Sequence, residues 1–144
     1  ACCLVGSEMC IRDRIDAPCS STGTIRKNPD ILIRNNMIDL TKLQRIQQEL
    51  LKNAASNIKV GGYLMYIVCS LEEEEGEDIV NKFLKTNTNF QILNLNQYIQ
   101  DLKKTLKLNT IGYLKFLPND FKVHQNEHLN GNNGFFSAII ERKF

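Results

Sequence analysis

The chain has 144 residues, a formal net charge of +2 at pH 7 and 42% hydrophobic residues. This length suits one domain or part of one, and no apolar run reaches membrane-spanning length. The weak net charge gives no strong basic field, although a local basic patch would be enough to bind nucleic acid. Five cysteines without Cys-x-x-Cys spacing do not indicate a disulfide framework, so we expect a reducing, cytoplasmic setting.

The first 14 residues, ACCLVGSEMCIRDR, differ in pattern from the rest of the chain. Three of the five cysteines fall in the first ten residues. We therefore predict a non-native or disordered tail over residues 1–14 and a domain over residues 15–144. The other interpretation is a metal site formed by Cys2, Cys3 and Cys10, which the absence of a second pair and of a nearby histidine disfavours.

A loop rich in proline, serine, threonine and glycine is predicted over residues 16–30. Pro18 restricts the backbone there, so the loop is stiff enough to hold side chains in place. Three cations, Arg26, Lys27 and Arg34, lie in and just after this loop. They either bind RNA phosphates or form a solvated basic surface, and the residues leave both interpretations open.

Hydrophobic periodicity predicts two helices that flank a buried strand. An apolar stripe at three- and four-residue spacing predicts the first helix over residues 39–57, with Thr41 and Gln44 as a capping box. The apolar run Tyr63–Cys69 follows two glycines and predicts a strand buried on both faces of a parallel sheet. The acidic run Glu72–Glu75 then suits the first turn of a second helix.

Three further strands are predicted towards the C-terminus. The segments are residues 90–95, residues 114–117 and residues 135–140. Strands that alternate with helices predict an α/β sheet.

Cys69 is a candidate nucleophile because it stands at the carboxyl end of the predicted central strand. Ligands of open α/β sheets bind just beyond these strand ends. A helix N-terminus close behind the thiol would favour the thiolate. The other interpretation is that Cys69 is a small buried hydrophobic residue.

Four ordered motifs resemble the RNA (cytosine-5) methyltransferase family, which uses S-adenosylmethionine and whose bacterial members modify 16S ribosomal RNA. The motifs are IDAPCSSTGTIRKNPDI at residues 15–31, GGYLMYIVCSLEEEEGE at residues 61–77, GYLKFLP at residues 112–118 and GFF at residues 134–136. The family pattern has a DAPCSGTG-type loop and a CSL strand end before a glutamate-rich helix start. The resemblance implies the C-terminal half of a Rossmann-like class I methyltransferase fold, with a mixed sheet whose last strand is antiparallel.

The resemblance also assigns roles to four residues. It implies that Cys69 is the nucleophile that adds to the base and that Cys19 helps to release the product. It implies that Asp16 lies next to the cofactor and the target base, and that Pro18 shapes this cofactor-binding loop. The alternatives without catalysis are that Cys19 is a thiol with no role in the reaction and that Asp16 is a loop residue whose carboxylate caps local N–H groups. The enzymatic interpretation requires both thiols to face one cleft.

The function implied is transfer of a methyl group from S-adenosylmethionine to carbon 5 of a cytosine in RNA, with ribosomal RNA as the partner and no membrane. The family would place most of the cofactor pocket before residue 15, so we expect the chain to be inactive alone. The alternative is a noncatalytic RNA-binding or assembly module on a degenerate methyltransferase fold. The presence of both Cys19 and Cys69 favours the enzyme.

Overall fold

The computed structural model describes residues 12–34, 38–93, 112–118, 120 and 131–144. In these ranges five strands form one sheet: β1 (Arg12–Asp16), β2 (Tyr63–Val68), β3 (Phe90–Ile92), β4 (Leu114–Phe116) and β5 (Phe135–Arg142). The helices are α1 (Ile31–Arg34), α2 (Leu40–Asn57) and α3 (Glu77–Thr86), and a short 3-10 turn spans Thr22–Thr24.

The sheet is mixed, with the strand order β1-β2-β5-β3 and with β4 also pairing β5. β1 and β2 are parallel, whereas β5 runs antiparallel to β2, β3 and β4. The predicted mixed sheet with an antiparallel last strand is therefore confirmed. Because β1 and β2 are parallel neighbours, their carboxyl ends reach the same edge of the sheet.

β1 begins earlier than the predicted domain boundary, since residues 12–14 pair with Tyr63–Met65 of β2. Backbone pairing holds this strand although its sequence is charged, and the exposed Arg14 side chain forms an ion pair with Asp16. Residues 1–11, with the three cysteines of the candidate metal site, lie outside the described residues.

β2 is buried on one face rather than on both. Leu64, Tyr66 and Val68 are buried, and the residues between them are only partly buried. The buried side chains of β2 pack with residues of α2, α3 and β5 in one core. That core includes Leu51, Ala55, Ile58, Ile79, Val80, Phe83, Phe136, Ala138 and Ile140. The strand is thus a half-buried strand of a mixed sheet, which explains its alternation.

The predicted capping box of α2 is wrong. The N-cap of α2 is Asp39, whose side chain accepts a hydrogen bond from the Lys42 backbone nitrogen at 3.1 Å. Aspartate is among the best N-cap residues because its carboxylate satisfies an unpaired N–H of the first turn. Gln44 instead donates from Nε2 to the backbone oxygen of Glu74 at 2.9 Å, which ties α2 to the loop after β2.

α3 begins at Glu77, and the acidic run Glu72–Glu75 forms the turn before it. The last three predicted strands lie where the sequence places them. β3 ends at Ile92 rather than at residue 95, and residues 94 and 95 lie outside the described residues. Within the described ranges, no helix is long and apolar enough to cross a bilayer.

Candidate active site

The two predicted cysteines meet at the carboxyl ends of β1 and β2. Cys69 directly follows β2, and Cys19 lies in the loop after β1. Their sulfur atoms are 3.3 Å apart, and both thiols are free and partly accessible. The structure therefore brings the two thiols to one place, as the enzymatic interpretation requires.

Three backbone hydrogen bonds hold the loops that carry these thiols. Ala17 N–H donates to the Ile67 oxygen at 3.0 Å, and Gly23 N–H donates to the Cys69 oxygen at 3.0 Å. Gly134 N–H, next to β5, donates to the Gly23 oxygen at 2.7 Å. A Cβ atom on Gly23 would lie 2.0 Å from the Gly134 oxygen, so glycine is required at this close approach.

Buried hydroxyl groups connect the two loops behind the thiols. Ser20 and Ser70 each follow a cysteine, and their Oγ atoms are 3.1 Å apart. Thr22 Oγ1 lies 3.2 Å from Ser70 Oγ and accepts a hydrogen bond from the Leu71 backbone nitrogen at 3.0 Å. Ser20, Thr22 and Ser70 are all buried, so these bonds form away from water.

Glu75 is fully buried and joins this network, which the sequence did not indicate. Its carboxylate accepts hydrogen bonds from the Ser20 backbone nitrogen at 3.0 and 3.2 Å and from Ser20 Oγ at 2.5 Å. Gln47 of α2 donates to the same carboxylate at 3.0 Å and to the Pro18 oxygen at 2.9 Å. A buried carboxylate needs such donors to offset its desolvation. Because Glu75 lies in a run of four glutamates, no local sequence pattern distinguishes it from its neighbours.

The two thiols have opposite electrostatic preferences. The hydrogen bond with Cys19 is the main cause that lowers the pKa of Cys69 to about 6, against the effect of burial. The Ser21 hydroxyl also lowers the pKa of Cys69, whereas the charge of Glu75 raises it. The hydrogen bond with Cys69, followed by burial, raises the pKa of Cys19. These opposite shifts favour Cys69 as the thiolate of the pair, with the Cys19 thiol as the donor.

The source of this thiolate differs from the one that the sequence suggested. A helix N-terminus directly behind Cys69 was expected to favour ionisation, but α3 begins only at Glu77. Because the helix dipole acts within about one turn, it is too distant to dominate. The neighbouring thiol of Cys19 supplies the main stabilisation instead.

Asp16, at the end of β1, and Pro18, in the loop that follows, are both exposed. The Asp16 carboxylate ends β1 and forms an ion pair with the Arg14 guanidinium. The Pro18 ring is exposed while its carbonyl oxygen binds Gln47. The structure places both residues at the same sheet edge as the thiols.

The three predicted cations do not form one common cluster of contacts. Arg26 Nη2 donates to the Gly131 oxygen at 3.2 Å, and Arg34 forms an ion pair with Asp30 at 2.9 Å. Lys27 is exposed at the surface. All three side chains are accessible, which fits either of the two interpretations.

Comparison with known proteins decides the family. The family model described as 16S rRNA methyltransferase RsmB/F matches residues 4–141. The chain belongs to this family of RNA (cytosine-5) methyltransferases. The match begins inside the predicted tail of residues 1–14, and the nature of that tail stays a prediction.

Individual relatives agree with this family. Ribosomal RNA small subunit methyltransferase B of Thermus thermophilus is 42% identical over 77 residues, which cover 54% of this chain and 19% of that protein. A tRNA (cytosine(34)-C(5))-methyltransferase of Drosophila melanogaster is 40% identical over 70 residues, which cover 49% of this chain and 9% of that protein. The chain thus matches less than a fifth of the length of each of these two curated relatives.

A solved structure agrees with the fold. The structure of PH0851 is 30% identical with a TM-score of 0.71, covering 91% of this chain and 26% of that chain. The sheet and helices described above form part of a Rossmann-like class I methyltransferase fold, as predicted.

Proposed function

We propose that this chain carries the two reacting cysteines of an enzyme that methylates carbon 5 of cytosine in RNA, using S-adenosylmethionine. The observation that supports this most directly is the 3.3 Å separation of the Cys19 and Cys69 sulfur atoms at one sheet edge. Membership in the family of 16S rRNA methyltransferases supports ribosomal RNA as the substrate class.

Cys69 acts as the nucleophile in this proposal. Carbon 5 of cytosine is too weak a nucleophile to take up a methyl group unaided. The Cys69 thiolate adds to carbon 6, and the electron pair of the 5,6 double bond moves towards carbon 5. S-adenosylmethionine, when bound, supplies the electrophilic methyl group that carbon 5 takes up. Loss of the proton on carbon 5 and departure of the Cys69 thiolate then restore the aromatic ring.

Cys19 acts at the release stage. Its thiol remains protonated while the Cys69 thiolate is beside it, since that thiolate raises the pKa of Cys19. Once Cys69 has formed its bond to carbon 6, its sulfur carries no charge. The main cause of the raised pKa of Cys19 is then gone, so Cys19 loses its own proton to water. The resulting Cys19 thiolate takes the proton from carbon 5.

Asp16 and Pro18 are the described residues that would contact the cofactor or the base. The Asp16 side chain is 60% exposed and its partner Arg14 is 66% exposed, and surface pairs of this kind contribute little. The carboxylate can therefore exchange this partner for a cationic or amino group of a ligand. One accessible carboxylate beside an exposed proline ring fits a positively charged, partly apolar cofactor.

The test uses the full-length enzyme, RNA substrate and S-adenosylmethionine with a labelled methyl group. Cys69→Ala is expected to abolish both methyl transfer and the covalent RNA adduct. Cys19→Ala is expected to accumulate a denaturation-resistant RNA–protein adduct, because addition proceeds while release fails. Ser56→Ala removes one exposed heteroatom from the end of α2 and is the matched control.

Normal methyl transfer after Cys69→Ala would refute the assigned roles. A wild-type enzyme that binds RNA without transferring any methyl group would instead support the noncatalytic module.

A further inference from the structure

Ser21 has an unusual backbone conformation next to the thiol pair. Among the described residues, it is the one non-glycine residue with a positive φ, at 62°. The left-handed region is unfavourable for residues with a Cβ atom and costs glycine nothing. The DAPCSGTG pattern of the family has glycine at this position. Serine here therefore carries a conformational cost that glycine would avoid.

The Ser21 hydroxyl lies beside the two thiols and forms a triangle with their sulfur atoms. Its Oγ is 3.4 Å from Cys69 Sγ and 4.0 Å from Cys19 Sγ. It also donates to the backbone oxygen of Cys19 at 3.5 Å. The side chain thus reaches both sulfur atoms from within the loop that carries Cys19.

The turn itself does not depend on this hydroxyl. The Thr24 backbone nitrogen and the Thr24 hydroxyl each donate to the Ser21 carbonyl oxygen at 2.9 Å. These bonds use only the backbone of Ser21, so they persist when its side chain is removed. Within the part of the chain that the structure describes, the only loop contact that uses the hydroxyl is its long hydrogen bond to the Cys19 oxygen, and its other two contacts are with the thiols.

A hydroxyl group has one proton and two lone pairs, so it can follow the charge of its neighbour. Beside a protonated Cys69 it accepts from the thiol and donates to the Cys19 oxygen. Beside the thiolate it rotates and donates to the sulfur. Donation to the charged form favours ionisation, in the same direction as the thiol of Cys19.

We propose that Ser21 is a third member of the thiol site, whose hydroxyl stabilises the Cys69 thiolate before it adds to the base and again when it leaves. The part of this inference that concerns catalysis rests on the proposed function. The part that concerns ionisation rests on the contacts of Ser21 alone.

Two variants separate the hydroxyl from the backbone. Ser21→Gly removes the hydroxyl and also the conformational cost of the positive φ, whereas Ser21→Ala removes the hydroxyl but keeps the Cβ atom and that cost. The measurement is the pH dependence of iodoacetamide alkylation of the Cys69 peptide, followed by mass spectrometry in the full-length enzyme without RNA. Only the thiolate reacts, so the rate rises with pH through the pKa of Cys69.

Both variants are expected to shift the alkylation midpoint upward by about half to one pH unit. The rate at pH 5.5 then falls about three- to tenfold, while the rate at pH 8 changes less than about twofold. Ser56→Ala is expected to keep the wild-type midpoint. A wild-type midpoint in Ser21→Gly would overturn the inference, and so would a shift confined to Ser21→Ala. Ser21→Gly carries the test if the alanine variant fails to fold.

Single-turnover methyl transfer separates this inference from the proposed function. Ser21→Gly is expected to slow transfer at pH 6 more than at pH 8. Full methylation by Cys69→Ala would refute the proposed function while leaving the alkylation shift intact. An unchanged alkylation profile would refute the role of Ser21 while leaving methylation intact.

Discussion

The loops after β1 and β2 carry the same Cys-Ser dipeptide, yet their thiols differ in charge. Cys19 is the more enclosed thiol and keeps its proton, whereas Cys69 has a pKa lowered to about 6. Two thiols 3.3 Å apart cannot both ionise, so ionisation of one suppresses the other. The comparison shows how two identical side chains obtain two roles from their surroundings.

The loops also differ in the charges that follow their cysteines. Arg26 and Lys27 follow Cys19, whereas the acidic run Glu72–Glu75 follows Cys69. Glu75 of this acidic run nevertheless holds the loop that carries Cys19, because its carboxylate accepts a hydrogen bond from the backbone nitrogen of Ser20. The positions of both cysteine loops therefore depend on the contact between Glu75 and Ser20.

The largest expected effect comes from removing the Glu75 carboxylate from this contact. Glu75→Ala leaves the buried donors of Ser20 and Gln47 without their acceptor, so we expect a loss of about 3 kcal/mol or more in the free energy of unfolding. Urea unfolding of the enzyme measures this loss. Glu74→Ala, at an exposed position in the same run, is the control and should lose less than about 0.5 kcal/mol. Equal free energies of unfolding for the two variants would show that the buried contact of Glu75 does not stabilise the fold.

A second prediction tests the source of the Cys69 thiolate. Cys19→Ala removes the donor that lowers the pKa of Cys69 most, so the alkylation midpoint should rise from about 6 by roughly one to two pH units. This shift should exceed that of Ser21→Gly, since the Cys19 contact is the larger cause. A smaller shift in Cys19→Ala would reverse the order of the two donors.

The reciprocal change sharpens the comparison. Cys69→Ala removes the hydrogen bond and the charge that raise the pKa of Cys19. Cys19 should then be alkylated several-fold faster at pH 8 to 9 than in the wild type, because more of it is thiolate. Peptide mapping by mass spectrometry reports the two sites separately. Unreactive Cys19 in this variant would mean that burial, rather than its partner, keeps it protonated.

The smallest expected effect concerns the basic side of the comparison. Lys27→Glu should weaken RNA binding by about three- to tenfold at low salt and reduce the salt dependence by about one counterion or more. Lys52→Glu makes the same charge change on the exposed face of α2 and serves as the control. Filter binding at several salt concentrations distinguishes a phosphate contact from a solvated surface, for which both variants would behave alike.

Local pattern was enough to locate the strand over Tyr63–Val68, the helix over Leu40–Asn57 and the two cysteine loops. Pattern alone failed where the deciding partner is distant in sequence. Glu75 resembles its three neighbours, and only its contact with Ser20 shows that it is buried. The start of α3 was missed for a related reason, because acidic residues suit a first turn equally well at Glu72 and at Glu77.

The convergence of the two thiols came from a resemblance rather than from periodicity. Periodicity places Cys69 at a strand end, but it gives Cys19 no position relative to that end. The parallel pairing of Asp16 with Ile67 supplies this missing alignment. Ser21 escaped notice because its positive φ is a property of the folded loop.

The close approach of Gly23 to Gly134 has a consequence for the whole sheet edge. A continuous path of amides runs from the Cys69 carbonyl through Gly23 to the residue that precedes β5. A Cβ atom on Gly23 would collide with the backbone of Gly134 and crowd the Cys69 carbonyl oxygen, whereas a Cβ atom on Gly134 would meet the side chain of Leu71. Backbone atoms alone therefore hold the loop that carries Cys19 against the peptide group of Cys69 and against the residue that precedes β5.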